Sequence, residues 1–278
     1  MVSQEQRRRQ LAREKFLRQQ QRRESARRRS RNRNVVIAAA LAVVVVGSAG
    51  AYAAGAFEGG SKKDDAAASK PSAVPSSKAP DPCGKPAPGK VKQQKFKKEP
   101  AFSVDKSAGY TMALDTTCGA IDIKLDTAAA PHTVNSFDFL AGKHFFDHTK
   151  CHRMTTAGIY VLQCGDPQGT GAGGPGYTIP DENLKDKRLK GNVYPAGTVA
   201  MANQYNPQTK QGKNSGGSQF FLVYQDSQLP PYYTPFGTVS KGGMKVLKKI
   251  AKAGENSGQG DGAPNATVVI DKAAVRKS

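Results

Sequence analysis

Between Val35 and Phe57 the chain runs for 23 residues without a charged side chain, VVIAAALAVVVVGSAGAYAAGAF, and this run divides the molecule into parts that cannot share one core. As a helix it is long enough to cross a hydrocarbon layer of about 30 Å. The segment before it, 1–34, carries thirteen Lys or Arg against three Glu, with Leu11, Phe16 and Leu17 among its few apolar residues, so it cannot bury a core. A buried helix of a soluble domain rarely follows such an arginine run. A cleaved signal peptide is the closer rival, because the run ends in small residues, but the basic region and the apolar run both exceed its usual dimensions. The expectation is therefore an uncleaved, single-pass signal-anchor helix over 35–57. Its arginines stay cytoplasmic and the C-terminal part lies outside the cell membrane.

A net charge of +20 raises nucleic acid as a partner. Half of that excess sits in 1–34, so the charge is largely a property of the tail and no nucleic-acid partner is expected. A separate reading gives the tail its own role on anionic lipid or nucleic acid at the cytoplasmic face. Residues 58–108 are rich in Gly, Ser, Ala, Lys and Pro, a composition that reads as a mobile tether. Cys83, Cys118, Cys151 and Cys164 all lie beyond the apolar run. An even number in an exported region permits two disulfides, and four free thiols remain the alternative.

From Tyr110 the pattern changes to alternation. YTMALDTTCGAIDIKLD reads as two strands joined at Thr117-Cys118-Gly119. Pro131 stands at the start of a short amphipathic helix carrying Val134, Phe137, Phe139 and Leu140. Strand-like stretches follow at 151–155, 159–164, 197–202, 218–223 and 236–239, then a helix over 243–251 and a last strand at 266–271. Many strands with two helices predict a β-barrel whose ends the helices cover.

Three chemical signals fail on their context. Gly169-Thr170-Gly171-Ala172-Gly173-Gly174 satisfies the first half of a dinucleotide fingerprint, but Gly174-Pro175-Gly176 cannot open the helix that the phosphate site requires, so these glycines read as loop geometry. His144, His148 and His152 recur every four residues, yet the strand pattern at His152 sends the imidazoles apart, and no metal site is expected. Ser, His and Asp are present without a Gly-x-Ser-x-Gly elbow, so no serine hydrolase is read.

Five separated motifs do agree with one another. Cys151-His152-Arg153, Gln163-Cys164-Gly165-Asp166, Met201-Ala202-Asn203, Asn214-Ser215-Gly216-Gly217-Ser218-Gln219-Phe220-Phe221 and Pro235-Phe236-Gly237 resemble, in family order, the cyclophilin family of peptidyl-prolyl cis-trans isomerases. The likeness is to a membrane-anchored, actinobacterial form. It implies a mainly β domain over 109–272, a closed eight-stranded barrel capped by two helices, with 273–278 as a short tail. The implied activity is rotation about X-Pro bonds in exported proteins, without cofactor. The implied partners are proline-containing polypeptides, and a proline-binding module or holdase with little turnover is the alternative.

Carried over residue by residue, the resemblance makes Arg153 the catalytic group. Tyr160 and Val161 fall where relatives have Phe and Met in the proline pocket. Gln163 closes the next strand, and Ala202 and Asn203 match a pair whose backbone meets the peptide. Gln219 and Phe221 belong to the Gln-Phe-Phe strand, with Phe221 as pocket floor, while Leu229 and Tyr233 occupy the last loop. The span from Arg153 to Gln163 is two residues longer than the usual pattern, which bears on where Tyr160 points. Following the same resemblance, Cys151 is expected to pair with Cys164 and, with that pair made, Cys83 with Cys118.

Overall fold

A computed structural model describes residues 80–278. The expected basic tail, apolar span and first part of the tether lie outside those residues. Among the described residues, no helix is long and apolar enough to cross a membrane.

The domain is mainly β. Its strands are β1 (Tyr110–Thr116), β2 (Gly119–Leu125), β3 (Thr149–Lys150), β4 (Arg153–Thr155), β5 (Val161–Cys164), β6 (Val193–Tyr194), β7 (Thr198–Met201), β8 (Phe220–Val223), β9 (Ser227–Gln228), β10 (Pro235–Val239), β11 (Asp261–Gly262) and β12 (Val269–Lys277). Two helices accompany them, α1 (Pro131–Gly142) and α2 (Lys241–Ala253). Ten strands form one sheet in the order β11-β4-β5-β8-β7-β10-β2-β1-β12-β3, and β6 pairs with β9 as a separate ribbon. Laid flat, the eight strand spacings between β3 and β4 would cover about 38 Å. Lys150 and Arg153 are only three residues apart, a reach of about 11 Å, so the sheet must curl to bring them together. The sheet holds ten strands rather than the expected eight because the two-residue strands β3 and β11 extend its ends.

The main core is the inner face of this curl. Phe137 of α1 sits at its centre, with ring centroids 4.7 Å from Phe236, 5.3 Å from Phe146 and 5.5 Å from Phe220. Every residue of β7 and β8 is buried, because a second apolar cluster covers the outer face of those strands. The N-terminus of α1 has no capping side chain of its own. Instead the Glu182 carboxylate accepts from the N–H groups of His132 (3.0 Å) and Thr133 (2.9 Å), which satisfies two of the helix's unpaired donors. At α2 the Ser240 hydroxyl accepts from the Gly243 N–H at 3.1 Å.

Two boundaries differ from the sequence reading. β12 continues to Lys277, pairing with β1 from Lys277↔Tyr110 onward, so the residues taken for a tail are strand. More importantly, the described part of the segment read as a tether is fastened to the curled sheet and its helices. Cys83 is bonded to Cys118, the Ala87 N–H donates to Asp271 (2.9 Å), and the Asn135 Oδ1 accepts from the Ser103 N–H (2.8 Å). The Phe96 ring packs edge-on to Phe139 at 5.0 Å, and its N–H donates to the Pro175 carbonyl at 2.7 Å. Each of these partners is distant in sequence, which is why local composition concealed them.

Asp166 explains the glycine-rich loop. Its buried carboxylate accepts from the N–H groups of Gln168 (2.7 Å), Thr170 (2.9 Å), Gly171 (2.6 Å) and Gly173 (3.2 Å). A side chain at position 173 would collide with that carboxylate, so glycine is required there. No helix follows the loop. Burial by itself would raise the Asp166 pKa, but the four donors outweigh it and hold the group below the usual carboxylate value. Its contribution to stability is thus complete above the unfolded value and is lost as pH falls through the lower folded value. Asp166→Ala is expected to cost about 2–4 kcal/mol at neutral pH by stranding these donors. Urea midpoints at neutral and strongly acid pH should converge for mutant and wild type as the pH drops.

Candidate active site

The site is built by strand register. In neighbouring antiparallel strands Arg153 pairs with Gln163, Gln163 with Phe221, and Phe221 with Ala200. Directly paired residues share a face of the sheet, so these four form a row across β4, β5, β8 and β7 on the outer surface. Their chain neighbours Met154, Leu162 and Phe220 alternate inward and are 0–1% exposed.

Arg153, Gln163 and Phe221 of this row line a cavity of about 560 Å³. Val161, Phe221 and Leu229 give it an apolar base, Tyr233 and Ile159 stand at its rim, and Ala202 and Asn203 line it on one side. The β6/β9 ribbon holds Leu229 in place, with the Leu229 N–H donating to the Asn192 carbonyl at 2.9 Å. Beneath it Tyr194 is fully buried, with its hydroxyl donating to the Tyr233 carbonyl at 2.8 Å and its pKa pushed up to about 12 by burial. Tyr194, Phe221 and Tyr233 contact one another at tilted or edge-on angles that suit aromatic quadrupoles.

A continuous polar chain crosses the cavity floor. Arg153 donates through Nε and Nη2 to the two oxygens of Asp261, both at 2.7 Å, and through Nη1 to Gln163 Oε1 at 3.1 Å. Gln163 Nε2 donates to Gln219 Oε1 (2.9 Å), and Gln219 Nε2 to the carbonyls of Gly171 (3.0 Å) and Gly173 (2.8 Å). The Asp261 hydrogen bonds raise the Arg153 pKa further, and Arg153 in turn lowers that of Asp261, so both stay charged. With 38% and 54% of these side chains exposed, the pair adds little to stability. What it fixes is direction: the fork holds the guanidinium plane and leaves two of its five N–H groups free.

Ten residues were expected at the site. Arg153, Val161, Gln163, Ala202, Asn203, Phe221, Leu229 and Tyr233 line the main cavity, and Gln219 lines a smaller one beside it. Tyr160 does not join them. It packs on the main core side, 6.0 Å from Tyr224, while Ile159 takes a place in the cavity. Strand alternation is the reason: Val161 and Gln163 face outward, and Tyr160 therefore faces away. The Ala202 N–H is already given to the Gln219 carbonyl at 3.0 Å, which leaves the Asn203 peptide unit to meet a ligand. Both expected disulfides are present, Cys151–Cys164 and Cys83–Cys118. The three histidines part company: His144 pairs with Asp147, His148 lies against Gly89, and His152 enters the cavity wall.

Asp261 was not legible in sequence. It lies 108 residues from Arg153, on the two-residue strand β11 within a Gly-rich stretch, with no sequence pattern tying the two together. Asp261→Asn is expected to lower turnover about threefold to tenfold by loosening the guanidinium. Steady-state kinetics would check it: the change should fall on kcat more than on KM, with partial rescue in Asp261→Glu.

Residues 111–275 match the family model for cyclophilin type peptidyl-prolyl cis-trans isomerases, and the chain belongs to that family. A probable peptidyl-prolyl cis-trans isomerase B of Mycobacterium leprae is 49% identical over 172 residues, covering 59% of this chain and 56% of that protein. The Mycobacterium tuberculosis protein of the same description is 44% identical over 194 residues, covering 66% and 60%. The chain thus spans less than two thirds of the length of these mycobacterial relatives. Among solved structures, a cyclophilin type isomerase of Cryptosporidium parvum aligns with a TM-score of 0.48 at 22% identity, over 61% of this chain and 99% of that one.

Proposed function

We propose that this chain accelerates rotation about X-Pro peptide bonds in exported polypeptides, held at the outer face of the cell membrane by a helix over 35–57. The observation that carries the catalytic part is a fixed guanidinium poised over an apolar floor in one cavity. The barrier to X-Pro rotation, about 18–20 kcal/mol, comes from amide resonance, and no bond has to break. In the twisted state the proline nitrogen becomes pyramidal and regains its lone pair. A free Arg153 N–H aimed at that nitrogen binds the twisted amide more strongly than the planar one, which is the requirement for acceleration. Val161, Phe221 and Leu229 grip the proline ring while the Asn203 peptide unit holds the residues before it. With one side held, the other can rotate.

Support for the extracytoplasmic setting comes from the charge-free run behind an arginine-rich tail and from two disulfides, which persist in oxidising compartments. Identity to mycobacterial proteins favours the actinobacterial form. We read the curl of the sheet as a closed barrel, since the chain from Thr149 to Thr155 pairs with β12 at one end and β5 at the other.

The test is cis-to-trans conversion of an X-Pro peptide by the full-length chain in detergent micelles. Conversion well inside the uncatalysed tens to hundreds of seconds is the expected result. Peptide binding without acceleration would instead favour the proline-binding holdase.

A further inference from the structure

We propose that Lys95, delivered by the segment that precedes the barrel, makes this site selective for proline segments carrying an Asp or Glu close to the proline. The inference rests on the isomerase reading above. A second cavity of about 260 Å³ adjoins the first and shares Gln163, Gly171, Ala202 and Asn203 with it, so one extended peptide can occupy both. Because the two cavities share these lining residues, the occupant of the second lies close to the proline along the same peptide.

Lys95 is the one charged residue lining this second cavity among the described residues. Several of its polar neighbours there are already engaged: Gln163 with Gln219, Gln219 with two glycine carbonyls, and the Ser215 hydroxyl with the Gly212 carbonyl and the Gln204 N–H. Lys95 Nζ donates to the Gly174 carbonyl at 2.7 Å, which uses one of its three N–H groups and leaves two for a ligand. The backbone that carries Lys95 is also held in place beforehand, though its side chain is exposed. Phe96 next to it is wedged against Phe139 and Tyr177, and Gln93 donates to the Pro167 carbonyl at 3.0 Å. A carboxylate entering the cavity meets this charge, whereas a cationic side chain meets repulsion.

The experiment uses the full-length chain in neutral detergent and X-Pro peptides bearing Glu, Gln or Lys at each of the three positions on either side of proline. At low ionic strength, kcat/KM for Glu over Gln should reach about two- to fivefold at one position, with Lys poorer still. That ratio should fall toward one in about 0.5 M salt and in Lys95→Gln, and should invert in favour of Lys in Lys95→Glu. If wild type accelerates every peptide with a Glu/Gln ratio of one at all positions, or keeps its ratio in Lys95→Gln, the selectivity is refuted and the isomerase stands. If no peptide is accelerated, the isomerase reading fails. The same peptides' binding affinities then decide: a Glu/Gln affinity ratio lost in Lys95→Gln upholds the acidic preference, and equal affinities overturn it.

Discussion

Arg153→Ala is expected to lower kcat/KM for an X-Pro peptide by about 10²- to 10³-fold, the loss usual when a preorganised donor to a transition-state charge is removed. Ground-state binding should change far less, because the apolar floor of Val161, Phe221 and Leu229 is untouched. Arg153→Lys should recover little of the activity. An ammonium keeps the charge but cannot hold both Asp261 oxygens and Gln163 while presenting a further N–H in a fixed plane. Single-turnover rates beside peptide affinities would separate the two effects. A mutant that loses binding and rate in equal measure would assign Arg153 to gripping the peptide rather than to the twisted amide.

The second large effect concerns the disulfides. Their sequence separations of 13 for Cys151–Cys164 and 35 for Cys83–Cys118 correspond to about 3 and about 4 kcal/mol of chain-entropy stabilisation. Replacing each pair by Ala should shift the denaturant midpoint accordingly, and the two variants should differ in what else they lose. Cys151 stands two residues before Arg153 and Cys164 directly after Gln163, so that variant should also lose turnover. Loss of Cys83–Cys118 should instead speed amide exchange along 81–96 with little effect on the Arg153 hairpin. Free thiols found by mass spectrometry in protein purified without reductant would contradict both pairings.

Much of this arrangement was legible because its signals are local. The alternation in YTMALDTTCGAIDIKLD yields β1 and β2, and Pro131 marks the start of α1. Arg153, Gln163 and Phe221 follow from motifs in a fixed order, and the register then sets them side by side. Tyr160 was misplaced because its motif position was carried over while strand alternation decided its face. Asp261 and Lys95 carried no signal at all: one sits on a two-residue strand in a Gly-rich stretch, the other in a Lys- and Gln-rich segment, and each matters only through a partner far along the chain. Composition likewise hid the docking of 80–108, since a disulfide, one aromatic ring and a few side-chain acceptors leave no periodic trace.

The row from Arg153 through Gln163 and Phe221 to Ala200 makes the site a readout of assembly. Each member occupies a rung of the same ladder, so a slip of one residue in β5 would turn Gln163 inward and Leu162 outward. Such a molecule loses the polar chain, the floor and part of the core at a stroke. Placing these side chains side by side therefore depends on the register of every strand in the row, not on any one of them alone.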